Sequence, residues 1–239
     1  MTEPRLYIYT DFDGTITPLD LGDDLFIQYG DFEPYHSQLI NGELHISEYW
    51  EILCKSLGNN ITAEFIAKYA ESQEVDAYFM DFVNFCKEQG FPIAVVSDGF
   101  DTYINPVLAK LGLSDIDAYC NTMAFDANGG IVPIYPRASE SCDCLVASCK
   151  RNVLLANTPP DAVIAYIGDG YTDFCAAEHS DIVFAKHRLA SYCFKNKIPH
   201  HTFKTFFDIK QILKKLIREK RIKVRHQAFL KRKAAFECE

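Results

Sequence analysis

The sequence predicts an α/β fold: a doubly wound parallel sheet with a helical cap inserted after its first strand. Three observations carry that expectation. Short β-branched apolar runs recur, "LYIYT" (6–10), "PIAVVS" (92–97), "VIAYIG" (163–168) and "DIVFA" (181–185). They are apolar at consecutive rather than alternate positions, the pattern of strands covered by helices on both faces. Helical patterns lie between them, and strand–helix alternation implies a parallel sheet. Finally, residues 18 to about 72 break the alternation with helical stretches and no convincing strand.

The first run closes on "DFDGTIT", which places Asp11 and Asp13 one residue apart at its end. The interrupting block reads "LGDDLFIQYG", "EPYHSQLING", "ISEYWEILCKSLG" and "TAEFIAKYAES", a small helical lid above that strand's carboxyl end. In "EVDAYFMDFVNFCKEQG" (74–90), Val75, Phe79, Phe82, Val83 and Cys86 share one stripe, and Gly90 supplies a helix cap. The second run leads into Ser97, Asp98 and Gly99. Shorter helical candidates follow in "YINPVLAKLGL", "CKRNVLLAN" and "DFCAAEHS". Residues 118–149 form an irregular insert with a hairpin turning at "ANGG". The third run ends in "GDGYTD", 168–173. The expected organisation is a catalytic core of residues 1–16 and 74–239, a cap of residues 17–73 and a basic tail of residues 218–239.

Composition narrows the class. The chain has 239 residues, 48% of them hydrophobic, with a net charge of −9 and no run long enough to span a bilayer. Its amino-terminal apolar run is a few residues long and ends in carboxylates, unlike a signal peptide or an anchor, so the expected location is the cytoplasm. Nine cysteines, an odd number in a chain too large to need disulfide staples, point to reduced thiols. Residues 210–239 hold eleven Lys or Arg against three Glu, a local +8, which leaves −17 for the rest. That segment begins as an amphipathic helix with Ile209, Ile212, Leu213, Leu216 and Ile217 on one face. A helix packed on the core is preferred to a polyanion-binding arm, because no aromatic-interleaved basic patch accompanies it.

In open parallel sheets, ligands bind outside the carboxyl ends of the strands. Three strands deliver Asp11 and Asp13, then Ser97, Asp98 and Gly99, then Asp169 and Asp173 to one such edge. Carboxylates so crowded repel one another unless a cation joins them, and an oxygen-only donor set suits Mg²⁺. Taken alone, each motif is an ordinary turn. "DFDG" is not a calcium loop: the third ligand position, counted from Asp11, is Thr15, the glycine position is Ile16 and the twelfth is Gly22.

"DFDGTIT", a strand-ending serine, a lysine and "GDGYTD", in that order, resemble the haloacid dehalogenase-like phosphohydrolases, in particular their phosphoserine-phosphatase-like branch with a helical cap. The resemblance implies Asp11 as nucleophile, forming an aspartyl-phosphate, and Asp13 as general acid and then base. It implies Mg²⁺ held by Asp11, the Asp13 carbonyl, Asp169 and Asp173. Ser97, Asp98 and Gly99 correspond to the substrate and phosphate motif, with the Ser97 hydroxyl and Gly99 backbone on phosphate oxygens. Lys150, opening a helix, corresponds to the third motif, with Arg151 its neighbouring competitor. The implied substrate is a small phosphorylated metabolite, and a phosphotransferase would use the same residues; composition and the tail's pattern point away from a membrane and disfavour a nucleic-acid partner.

The cap bears on the ester. Residues 14–90 contain no arginine, and Lys55, Lys68 and Lys87 are their cations. Phosphoserine phosphatases use a cap arginine and a glutamate soon after the first motif, where this chain reads "TPLDLGDDLF". Residues 119–150 resemble the insert of the methionine-salvage enol-phosphate phosphatases through "YCN", "FD" and the cysteines before Lys150. The acidic "LGDD" resembles phosphocholine and phosphoethanolamine phosphatases, although Asp20, Asp23 and Asp24 also suit a helix amino terminus. Cys142, Cys144 and Cys149, with Cys120, are candidates for a structural Zn²⁺. Their C-x-C-x4-C spacing is not that of a standard zinc knuckle, which favours small packed thiols over zinc. His187, His200 and His201 show no metal spacing, and the oligomeric state is not encoded legibly.

Overall fold

The structure, a computed structural model, describes residues 5–139, 142, 144 and 146–238. Residues 1–4 of the expected core, residues 140, 141, 143 and 145 of the expected insert, and the last residue of the tail lie outside the described residues.

Seven strands form one sheet: β1 Leu6–Thr10, β2 Ile93–Phe100, β3 Asp117–Phe125, β4 Ile131–Ile134, β5 Val163–Gly168, β6 Ile182–Ala185 and β7 His201–Thr202. Their spatial order is β4-β3-β2-β1-β5-β6-β7, with β4 antiparallel to β3 and every other pairing parallel. β1 is thus central, and the strand order reverses beside it. The consecutive apolar residues have the expected reason. Leu6, Ile8, Val95, Val163, Ala165 and Ile167 pack into one buried layer. Tyr9, Ala94, Val96, Ile164, Tyr166 and Val183 pack into a second one on the opposite face.

The helices are α1 Leu21–Tyr29, α2 Tyr35–Ile40, α3 Ile46–Ser56, α4 Ala63–Glu71, α5 Phe79–Gln89, α6 Asp101–Lys110, α7 Lys150–Asn157, α8 Phe174–His179, α9 His187–Lys195, α10 Phe206–Arg218 and α11 His226–Cys238. The first four span the residues expected to form a cap. Asp20 starts α1 by accepting from the Asp23 N–H at 2.9 Å, and Thr62 starts α4 by accepting from the Phe65 N–H at 3.2 Å. Trp50 of α3 packs edge-on against Phe100 at the end of β2, with ring centroids 5.0 Å apart. Tyr135, just past β4, donates its hydroxyl to the Ser47 carbonyl of α3 at 3.3 Å. The cap therefore rests on the hairpin as well as on its hinge.

Two boundaries differ from the sequence pattern. α5 begins at Phe79 rather than at residue 74, because the preceding segment joins cap to core. The Asp76 N–H donates to the Ile16 carbonyl at 2.9 Å, and the Asp76 carboxylate accepts from the N–H groups of Tyr78 and Phe206. β2 continues through Ser97–Gly99 to Phe100, and its pairing with β3 shifts register between Val96 and Phe100. That irregularity turns the Ser97–Gly99 segment toward the strand ends.

The tail packs on the core. Phe206, Ile209, Leu213 and Leu216 bury the face of α10, with Phe206 against Phe79 and Phe82. Arg225 donates its guanidinium to the carbonyls of Ala177, Glu178 and Ser180, and Arg232 to that of His179. Both arginines also reach Asp181, Arg225 through its backbone N–H. Two of the tail's cations thus cap the carboxyl end of α8.

Candidate active site

The carboxyl ends of β1, β2 and β5 lie side by side at the centre of the sheet. The Asp11 N–H extends the ladder by donating to the Ile167 carbonyl at 2.8 Å, which fixes the start of the "DFDG" turn against β5. Asp11 is buried. Its Oδ1 accepts from the Phe12 N–H at 2.8 Å and its Oδ2 lies 2.8 Å from Lys150 Nζ. The turn needs a glycine at position 14: φ is +66°, and a Cβ there would sit 2.5 Å from Asp169 Oδ2. Thr15 then donates its hydroxyl to Asp169 Oδ1 at 2.7 Å, tying the first motif to the last.

Asp13 faces the cap. Its Oδ1 accepts from the Leu21 N–H at 2.9 Å, and its Oδ2 from the Tyr103 hydroxyl at 2.9 Å, with Ser97 Oγ 3.4 Å away. Burial, with the Asp20 charge adding to it, pushes the Asp13 carboxyl well above the usual carboxylate range. The Gly99 N–H donates to Ser97 Oγ at 2.9 Å. A Cβ at Gly99 would collide with the Tyr103 hydroxyl and come within 2.7 Å of Asp13 Oδ2, so the backbone can approach this closely only as glycine. Asp98 lies on the cleft wall but commits its carboxylate elsewhere. Its Oδ1 accepts from the N–H groups of Ala147 and Ser148, both at 3.0 Å, and from the Asn121 amide at 3.2 Å. This buried carboxylate anchors the segment that leads to Lys150.

Lys150 opens α7 and is 1% exposed. Its ammonium lies 2.7 Å from Asp173 Oδ1 as well as 2.8 Å from Asp11. Asp173 also accepts from the Tyr166 hydroxyl at 2.5 Å and from the N–H groups of Asp169 and Gly170 at 2.8 and 2.9 Å. Burial by itself would lower the lysine, but the charges of Asp11 and Asp173 outweigh it and hold the ammonium above its ordinary value. Burial would likewise raise Asp173, yet Lys150 and the donors around it hold that carboxyl low. Asp11 moves the other way, pushed well up by burial and by the neighbouring Asp173 charge. Asp169 is raised for the same two reasons. One ammonium among these carboxylates leaves negative charge in excess.

Asp11, Asp169 and Asp173 each bring an oxygen within 4.8 Å of the others. Hard oxygen donors, surplus negative charge and space on the cleft side fit a divalent cation of the Mg²⁺ type.

Over this floor lies a cleft of about 300 Å³. Its roof is made by Leu39, Ile40, Ile46, Tyr49 and Trp50 from the cap, with Asp20, Asp23 and His36 at one side. Burial, with Asp20 adding to it, pushes Asp23 up to about 8. The Trp50 indole N–H is buried without a hydrogen-bond partner among the described residues. Among the described residues the cleft's one guanidinium comes from Arg188 of α9, whose Cζ lies 4.4 Å from the centre of the Tyr171 ring.

Sequence reasoning missed Thr15, Tyr103, Tyr166, Trp50 and Arg188 as site residues. Thr15 alone carried a signal, since it continues the "DFDG" motif; the others are ordinary residue types on helices or inside a strand. The cysteines gather in a different set from the one expected. Cys142, Cys144, Cys149 and Cys175 bring their sulfurs within 4.8 Å of one another, whereas Cys120 is not among them. Cys120 belongs to β3 and packs into the apolar core, where burial pushes its thiol up to about 12. Cys175 replaces it, two residues past Asp173 in the first turn of α8.

A model of the haloacid dehalogenase-like hydrolases matches residues 8–178, the span from β1 through α8 that builds the floor. The chain belongs to that family. A 2-hydroxy-3-keto-5-methylthiopentenyl-1-phosphate phosphatase from Brevibacillus brevis is 28% identical over 218 residues, covering 90% of this chain and 98% of the relative. The protein of the same name from Bacillus cereus is 29% identical over 217 residues, with 90% and 99% covered. Among solved structures, a phospho-aspartyl intermediate analogue of phosphoserine phosphatase superposes with a TM-score of 0.64 at 20% identity, covering 89% of this chain and 99% of that one. A probable phosphoserine phosphatase from Vibrio cholerae gives 0.66 at 16% identity, with 93% and 70% covered. At those identities the structures show a shared fold: the haloacid dehalogenase-like sheet with its flanking helices.

Proposed function

We propose that this haloacid dehalogenase-like hydrolase is a Mg²⁺-dependent phosphomonoesterase working through an aspartyl-phosphate, with an enol phosphate of the methionine-salvage type as its substrate. The observation that carries the reaction is the Lys150 ammonium shared by Asp11 and Asp173, with Asp13 two residues from Asp11 and turned to the cap side. An anionic nucleophile can meet an anionic phosphate only where charge is cancelled locally; Lys150 supplies part of that cancellation, and a cation held by the surplus carboxylates would supply the rest.

Asp11, oriented by the Phe12 N–H and Lys150, attacks phosphorus. As the P–O ester bond breaks, the leaving oxygen takes the proton of Asp13, whose raised carboxyl and place beneath the cap suit that task. Asp13, now ionised and steadied by Tyr103 and the Leu21 N–H, accepts a proton from water. The resulting hydroxide attacks phosphorus, and Asp11 leaves as a carboxylate beside free phosphate. The Ser97 hydroxyl and the Gly99 N–H exchange their mutual hydrogen bond for bonds to phosphate oxygens. Asp11, Asp169 and Asp173 would hold Mg²⁺ together with the Asp13 carbonyl. Bound there, the cation neutralises charge that nucleophile and phosphate bring together.

Three features support the ester. The relatives at 28–29% identity bear the name of an enol-phosphate phosphatase. Leu39, Ile40 and Ile46 suit a methylthio tail. The unpartnered Trp50 N–H suits a hydroxyl or keto oxygen. A phosphocholine or phosphoethanolamine reading draws on Asp20 and Asp23 beside the aromatic roof, but the quaternary ammonium of choline would leave the Trp50 donor unsatisfied. Phosphoserine ranks below both, since residues 14–90 bring no arginine and the Arg188 guanidinium of the cleft is stacked on Tyr171.

The test is phosphate release from these four esters with Mg²⁺ or EDTA, for the native chain and Asp11→Asn. Turnover of the enol phosphate that needs both Mg²⁺ and Asp11 supports the whole reading. Faster turnover of phosphocholine replaces the substrate but keeps the mechanism. Phosphate passing to an added alcohol in preference to water marks a transferase. Turnover that survives in Asp11→Asn removes the aspartyl-phosphate.

A further inference from the structure

Four cysteine sulfurs converge beside the active site and take no part in the reaction above. Cys142 Sγ lies 3.1 Å from Cys144 Sγ and 3.5 Å from Cys175 Sγ, and Cys144 Sγ lies 3.7 Å from Cys149 Sγ. All four are free thiols, and all four sulfurs fall within 4.8 Å of one another. Packing does not explain the gathering. Cys54, Cys86 and Cys193 are the buried kind, at 0–1% exposure within apolar clusters, whereas Cys142, Cys144 and Cys175 are partly exposed and belong to neither cluster.

We infer that Cys142, Cys144, Cys149 and Cys175 bind one structural Zn²⁺ as a tetrahedral four-thiolate site. A zinc–sulfur bond of about 2.3 Å in a tetrahedron sets sulfurs about 3.8 Å apart, the scale found here. An iron–sulfur cluster does not fit, because its inorganic core must lie between the cysteines and would spread them further. Binding converts the four thiols to thiolates and releases their protons to solvent.

The placement gives the ion a purpose that the spacing C-x-C-x4-C hides. Cys149 immediately precedes Lys150, and Cys175 follows Asp173 by two residues. The sulfur site therefore joins the start of α7, which carries Lys150, to the start of α8, which Asp173 immediately precedes, the two places whose side chains form the 2.7 Å Lys150–Asp173 pair. Zinc acts as a positioning element for that pair and lies outside the carboxylate set that suits Mg²⁺. The inference does not depend on the phosphatase reading.

Elemental analysis of the full chain, purified in reductant without chelator, tests it directly. The expected result is about one zinc per chain, and Co²⁺ exchanged into the site gives thiolate-to-cobalt charge-transfer bands with tetrahedral d–d intensity. Cys175→Ser should lose the bound metal, while Cys120→Ala should keep it. Should Cys175→Ser fail to fold, titration of the native chain with an organomercurial in the presence of a chromophoric chelator replaces it, and zinc should be released as the four thiols react. In exchange experiments without zinc, amides of α7 and α8 should lose protection before those of β1. A folded, reduced protein that carries no zinc and yields no cobalt–thiolate spectrum overturns the inference. So do retention of zinc by a folded Cys175→Ser and the finding of these cysteines as disulfides.

Discussion

The floor and the roof of the cleft are built on opposite terms. On the floor, Asp11, Asp13, Lys150, Asp169 and Asp173 each hold a hydrogen bond or ion pair to another strand or helix, and most are buried. The roof is apolar and aromatic, with, among the described residues, one unpartnered indole N–H and one guanidinium borrowed from α9. A satisfied polar network in low dielectric is rigid and costly to disturb, whereas a roof of ring and aliphatic surfaces can change side chains at modest cost. On the function proposed above, that difference assigns the reaction to the floor and the choice of ester to the roof.

The hardest blow to that division is Asp11→Asn, which keeps the shape and removes the proposed nucleophile. Turnover should fall by about 10⁴-fold or more with the midpoint of unfolding little changed. Lys150→Met comes next and should harm both activity and fold. It leaves two buried carboxylates without their cation, a loss of about 3–5 kcal/mol of stability by denaturant titration, with turnover down about 10³-fold. A Lys150 variant as stable as the native chain would show that the floor is not one network.

Tyr103→Phe is gentler and sharper. Its hydroxyl bonds the Asp13 carboxylate and so opposes the upward push of burial; without it the Asp13 carboxyl rises further. Water activation needs Asp13 ionised, so the acidic limb of the rate profile should move to higher pH, with kcat reduced about tenfold at neutrality. An acidic limb that stays in place removes Tyr103 from the floor. The smallest effect belongs to the roof. Trp50→Phe keeps the ring and loses the N–H, and should raise KM about fivefold to tenfold with kcat nearly unchanged. A fall in kcat of equal size would blur the boundary between floor and roof.

The same division governs what the chain reveals before it folds. Asp11, Asp13 and Asp169 are legible because they interrupt apolar strands at their ends, where few residues besides a functional carboxylate have reason to stand. β1, β5 and β6 are legible because burial on both faces leaves them uniformly apolar. β3 was visible only as part of a hairpin, since its residues Asp117–Phe125 mix polar and apolar side chains where the sheet approaches its edge. Tyr103 and Arg188 look like any surface or core residue of their helices, and only the folded crossing of α6 and α9 over the strand ends gives them a task. Cys175 lay too far along the chain from Cys149 for spacing to link them.

The Asp98 carboxylate sets a rule for how this chain can change length. It clamps the N–H groups of Ala147 and Ser148, leaving only Cys149 between the clamp and the Lys150 ammonium. One added residue there shifts the backbone by roughly 3.3 Å or forces a loop, more than the reach that separates a bonded ammonium from an unbonded one. At the other end of the same excursion, the turn from Asp126 to Gly130 is closed by its own Asp126 carboxylate and faces solvent. Lengthening it costs only about 0.6 kcal/mol for each doubling of the loop. Insertions should therefore be tolerated at the tip of the hairpin and rejected between residues 147 and 150, so that one excursion carries both an elastic segment and a fixed ruler.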